Sequence, residues 1–144
     1  NGTMNTLYMI NGKPQQGKMF TEKFGTYQCT LAVREAFMQK TQREINDAII
    51  DEVLITGTAN IAPADLKIIK GVAAEYVRDI FRRLREHGYD ENTMTLYVTG
   101  GGGCLVKNFY KFSADRVKFV EDICAAAKGY KYLAEAQMKA EAKG

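Results

Sequence analysis

Between Thr95 and Val106 an apolar, β-branched run meets four consecutive glycines, Gly100 to Gly103, and an apolar helical pattern begins at once. This pattern predicts a strand, a turn without Cβ atoms, and a helix N-terminus. Glycine lets the chain take positive φ and lets another group approach the main chain closely. A helix N-terminus adds unpaired N–H groups and a partial positive charge. Together they suit an anionic or nucleotide ligand lying against bare backbone. The plainer alternative is a tight strand-to-helix turn with nothing bound. One glycine would fit that alternative; four in a row favour the ligand, because each costs backbone entropy that a plain turn does not need.

The remaining chain bounds what can surround this turn. A length of 144 residues suits one domain with a real core. The net charge of +3 comes from interleaved acids and bases, so it does not argue for nucleic acid. No apolar run approaches the length of a membrane span. The polar N-terminus does not read as a secretory leader. Cys29, Cys104 and Cys124 are far apart, odd in number and without histidine partners at metal spacing. They suggest a reducing, cytoplasmic setting and no zinc site.

The opening Asn1-Gly2-Thr3-Met4 is a turn signal running into a strand, without an initiator Met at its head. This start suggests a fragment of a longer protein. Met4 to Ile10 reads as a strand, Asn11-Gly12 as a hairpin turn, and Gly17 to Lys23 as its partner. Thr26 is a candidate cap for a helix from Tyr27 to about Thr41. A shorter helix follows, with Ile45, Ile49, Ile50, Val53 and Leu54 on its apolar side. A long one, Ala64 to His87, repeats Ile69, Val72, Tyr76, Ile80 and Leu84 at helical spacing. Gly88 stands where a helix-stopping glycine belongs. Asn92 to Thr99 is the strand into the glycine turn, and Cys104 to Phe112 the helix out of it. Arg116 to Val120 is a last short strand, and a helix starts at Asp122. Antiparallel strands followed by strand–helix alternation give an α/β class with a mixed sheet.

These residues resemble a family. Asn1-Gly2-Thr3 followed by a hairpin resembles the second phosphate-binding loop of the actin superfamily, Asp-x-Gly-x-Gly-Thr. Tyr97-Val98-Thr99-Gly100-Gly101-Gly102 resembles its adenosine-binding motif. The stretch from Phe119 to Leu133, with Ala125-Ala126-Ala127-Lys128-Gly129-Tyr130, looks like the end of bacterial plasmid-segregation actin-like proteins of the ParM/StbA type. The resemblance covers nearly the whole chain and implies the second, C-terminal lobe of a bilobed ATPase. It implies a ribonuclease-H-like fold missing its first strand, with a small helical insertion at about residues 39–65. It also implies ATP with Mg²⁺ as cofactors, self-association into filaments, and a DNA-bound adaptor protein as partner, with no direct nucleic-acid or membrane contact. The nucleotide-binding residues carried over are Gly2 and Thr3 at the phosphates and Gly100, Gly101 and Gly102 at the adenosine.

The pattern departs from the family at its start. The Asp and first Gly of the phosphate loop would precede Asn1, and the first lobe is missing. The isolated chain is therefore not expected to hydrolyse ATP unaided, and no catalytic residue is identified. The missing first strand would lie between Met4–Ile10 and Thr95–Thr99. Either another strand fills that place, or the two neighbours close on each other, antiparallel. Lys40 and Arg43 could line the base, but solvated surface is the plainer reading. Cys104 reads as a small buried hydrophobe, His87 as a helix-end charge, and Arg78, Arg82, Arg83 and Arg85 as a basic helix face. Two other functions stay open: a sugar-kinase or phosphatase-type lobe of the same superfamily, and an interaction module that binds no nucleotide.

Overall fold

The computed structural model describes residues 2–120. Two strands lead, β1 (Met4–Ile10) and β2 (Lys13–Glu22). Three helices follow, α1 (Thr26–Thr41), α2 (Asp47–Thr56) and α3 (Pro63–Glu86). The described chain closes with β3 (Leu96–Val98), α4 (Gly103–Phe109) and β4 (Val117–Phe119). The class is mixed α/β. The helix expected from Asp122, the alanine-rich patch and Tyr130 lie outside the described residues.

The hairpin forms where Asn-Gly predicts it. Asn11 and Gly12 both take positive φ, 52° and 76°, which a two-residue turn matched to strand twist requires. The second strand starts earlier than expected, at Lys13. The antiparallel register slips by three residues between Leu7, opposite Met19, and Met9, opposite Pro14. Gly17, with φ 79°, lies opposite that slip.

Three boundaries moved for local reasons. Gly25, not Thr26, is the residue before α1, with extended φ and ψ of −98° and 171°. Its N–H donates to the Gln28 side-chain oxygen at 3.1 Å. The strand expected from Asn92 begins only at Leu96, because Asp90 folds the chain locally. Its carboxylate accepts the Asn92 N–H at 2.9 Å and the Thr93 hydroxyl at 3.0 Å. Likewise α4 stops at Phe109, where Tyr110 turns to extended backbone.

The single mixed sheet does not form among the described residues. β1 pairs only with β2, and β3 pairs in parallel with β4 in a separate two-stranded sheet. The expected antiparallel closure of Met4–Ile10 on Thr95–Thr99 is therefore corrected. Leu96 instead donates its N–H to the Arg116 carbonyl at 2.8 Å, and Val120 donates to Val98 at 2.9 Å. Parallel neighbours need a crossover, and α4 supplies it.

One core joins the helices. Val33 of α1, Ile50 and Val53 of α2, and Ile69, Ala73 and Val77 of α3 are all fully buried. The stretch 39–65, expected as an insertion, thus contributes α2 directly to this core. Gly57 ends α2 at φ 84° and Gly88 follows α3 at φ 98°.

The hairpin is tied to α3 by its far end. Phe20 stacks on His87, ring centroids 3.6 Å apart. Glu22 accepts from Arg83 at 2.6 Å and lies 3.1 Å from His87 Nε2. These bonds, His87 first and Arg83 second, hold the Glu22 carboxyl below its ordinary range. A carboxyl depressed by folding contributes stability above its unfolded pKa, and that contribution is lost as pH falls through the folded value. Glu22→Gln should therefore flatten the acid side of the stability profile, below about pH 4.3. Melting temperatures between about pH 3 and 7 check this; an unchanged acid slope would remove Glu22 from the account.

Candidate functional site

The glycine turn is built as its composition requires. Gly100 takes φ 88°, a conformation closed to most side chains. Its carbonyl accepts the Gly103 N–H at 3.1 Å, which folds the chain straight from β3 into α4. At Gly100 and Gly101 an added Cβ would meet nothing within 4 Å, so the space above both is open. At Gly102 it would stand 3.9 Å from the Thr26 methyl.

Thr26 places the first turn of α1 beside the glycine turn. Gly2 comes to the same helix end: a Cβ there would lie 3.4 Å from Gln28 Nε2. The two separated glycine motifs, 98 positions apart in sequence from Gly2 to Gly100, thus meet one helix start. Thr3 is exposed next to it. That helix end carries no side-chain cap and no acidic residue in its first turn. Its leading N–H groups have no acceptor within the helix. Tyr76 of α3 fixes the position of this end, donating its hydroxyl to the Gly25 carbonyl at 2.8 Å. Burial pushes the Tyr76 hydroxyl pKa up, so it stays a donor.

Thr26 and Gln28 were not expected at the site. Only their neighbourhood to Gly25 could have signalled them. Lys40 and Arg43 sit at the other end of α1. Fourteen residues separate Thr26 from Lys40, about 21 Å along a helix. Arg43 is engaged there, bonded to Asp65 at 2.6 Å and lying over the Phe37 ring. Neither lines the glycine turn.

Among the described residues the cysteines offer no nucleophile. Cys29 is fully buried, which pushes its thiol up to about 12. Cys104 is buried at the start of α4 and disulfide-bonded. Among the described residues no group of three His, Cys, Asp or Glu could hold a metal ion. Also among them, no helix is long and apolar enough to cross a membrane.

Comparison with protein-family models, with curated proteins and with solved structures found no match.

Proposed function

We propose that this chain is the nucleotide-binding C-terminal lobe of an actin-like ATPase that forms ATP-dependent filaments in plasmid segregation. The observation that supports it most is the convergence of Gly2 and Gly102 on the bare first turn of α1, beneath the open space at Gly100 and Gly101. In this reading a ribonuclease-H-like sheet is completed by a strand between β1 and β3, which unites the two small sheets. The adenosine lies over Gly100 to Gly102. The phosphates reach Gly2 and Thr3, whose N–H and hydroxyl groups donate to them. Mg²⁺ arrives with the phosphates and supplies charge neutralisation, since such catalysis is mostly positioning and electrostatics. The other lobe orients the attacking water. A DNA-bound adaptor and a cytoplasmic location follow from the same reading.

Gly101→Val tests it. Gly101 has no positive φ and open space where its Cβ would stand, so the fold should tolerate the change. The branched side chain then occupies the nucleotide's place. In the two-lobe protein, ATP affinity should fall at least tenfold, about 1.4 kcal/mol, by calorimetric titration. Unchanged affinity in a folded variant removes the adenosine assignment. Absence of ATP binding in the unmutated two-lobe protein favours the interaction-module alternative.

A further inference from the structure

We propose that a cavity at the opposite end of β3 and α4 from the glycine turn binds a small aromatic carboxylate. Neither the cavity nor its charges depend on the nucleotide reading.

The cavity, of about 390 Å³, opens where the chain passes from α3 toward β3 and from α4 toward β4. Gly100 follows β3, whereas Tyr89 and Asn92 of the cavity precede it. Gly103 starts α4, whereas Tyr110 and Phe112 follow its end. A three-residue strand and a seven-residue helix, each about 10 Å long, therefore stand between the two places.

The walls are aromatic and held from behind. Tyr110 lies parallel to Phe81 with ring centroids 3.7 Å apart, and Tyr89 meets the same ring edge-on at 6.1 Å. Phe81 is itself buried in the core. Phe112 meets Phe119 of β4 edge-on, centroids 5.1 Å apart. The Ser113 carbonyl accepts the N–H groups of Arg116 and Val117 at 3.1 and 3.0 Å, which fixes the turn into β4. Walls set in this way leave little to be ordered when a ligand enters. A flat apolar ring suits them.

The charges select the ligand's other end. Lys111 and Arg116 line the cavity and are exposed, and neither side chain forms an ion pair or hydrogen bond among the described residues. Glu91 is the acid among the lining residues, exposed and likewise in no ion pair among the described residues. Asp90, outside the lining, is satisfied locally. The Asn92 N–H and then the Thr93 hydroxyl hold its carboxyl below the ordinary range, and Arg116 adds the smallest part. Two cations and one acid thus leave one positive charge unmatched inside the cavity. A carboxylate carries one negative charge, whereas a phosphate monoester carries nearly two. The guanidinium fork of Arg116 can take both carboxylate oxygens. Ser113 and the two tyrosines add hydroxyl donors that make no hydrogen bond among the described residues.

Titration of the full chain with phenylacetate, followed by the amide signals in NMR spectra, tests this. Signals from Tyr89 to Asn92 and from Tyr110 to Val117 should shift and saturate, while those of Gly100 to Gly103 stay in place. Acetate keeps the charge without the ring, and benzyl alcohol keeps the ring without the charge. Each should bind at least about tenfold more weakly. Lys111→Ala combined with Arg116→Ala should weaken phenylacetate by at least about tenfold. Its melting temperature should match the parent's, because both side chains are exposed and unbonded. Glu91→Gln removes the opposing charge and should tighten binding roughly threefold. A response that does not saturate, or shifts centred on the glycine turn, would overturn the proposal. So would a control ligand that binds as tightly as phenylacetate, a double variant that binds like the parent, or a Glu91→Gln variant that binds no tighter.

Discussion

Phe81→Ala should cost about 3–5 kcal/mol of stability, the largest single loss expected from this chain. Phe81 is 1% exposed on α3. Its ring lies parallel to Tyr110 with centroids 3.7 Å apart, and meets the edge of Tyr89 at 6.1 Å. Truncation therefore removes core volume and two aromatic contacts at once. Tyr110 immediately follows α4, so the same ring holds the crossover between β3 and β4 against the long helix. Against a total stability of about 5–15 kcal/mol, the variant should melt roughly 10–20 °C lower. Urea titration measures it directly. Phe81→Leu is the control, keeping most of the volume. A loss below about 1 kcal/mol for the alanine variant would mean that the aromatic cluster is not part of the cooperative core.

Ile50→Ala should lower stability by about 2–5 kcal/mol, and its form matters as much as its size. Ile50 is fully buried among residues of all three large helices. If α2 were an appended insertion, the variant would melt α2 early and leave the main transition in place. With Ile50 in the shared core, the whole transition should move as one. Far-ultraviolet circular dichroism and tyrosine fluorescence should therefore give coincident curves. Separated curves would mean that α2 melts as a peripheral unit.

Local features were legible in the residues, and pairings at a distance were not. Asn11-Gly12 announced its turn because only a few residues accept two consecutive positive φ values. The long helix was legible because its apolar spacing, from Ile69 to Leu84, runs for about four turns, and Gly88 marked its end. Thr26 misled because threonine is a good cap in general, while Gln28 closes this helix start from inside and frees Gly25 for the role. Strand 92–99 was overextended because Thr93 and Thr95 favour strands on propensity, whereas the Asp90 carboxylate accepts two local hydrogen bonds that propensity ignores. Sheet membership was least legible. β3 is three residues long, and nothing in Leu96-Tyr97-Val98 specifies a parallel partner at Val117 rather than a neighbour at Met4. The same holds for Glu22 and His87, whose contact spans 65 positions. The glycine turn itself was visible; nothing in the residues placed Gly2 at the start of α1 beside it.

Asn108 gives the short helix α4 a mechanical role. Its side-chain amide donates to the carbonyls of Leu54 and Ile55 at 3.1 and 2.9 Å, at the end of α2. The helix begins at Gly103, inside the glycine turn. Seven residues of helix, about 10 Å long, thus form a stiff lever between that turn and the end of α2. A helix this short does not bend. The glycine turn and the end of α2 are thus tied through one short helix and the two hydrogen bonds of a single amide.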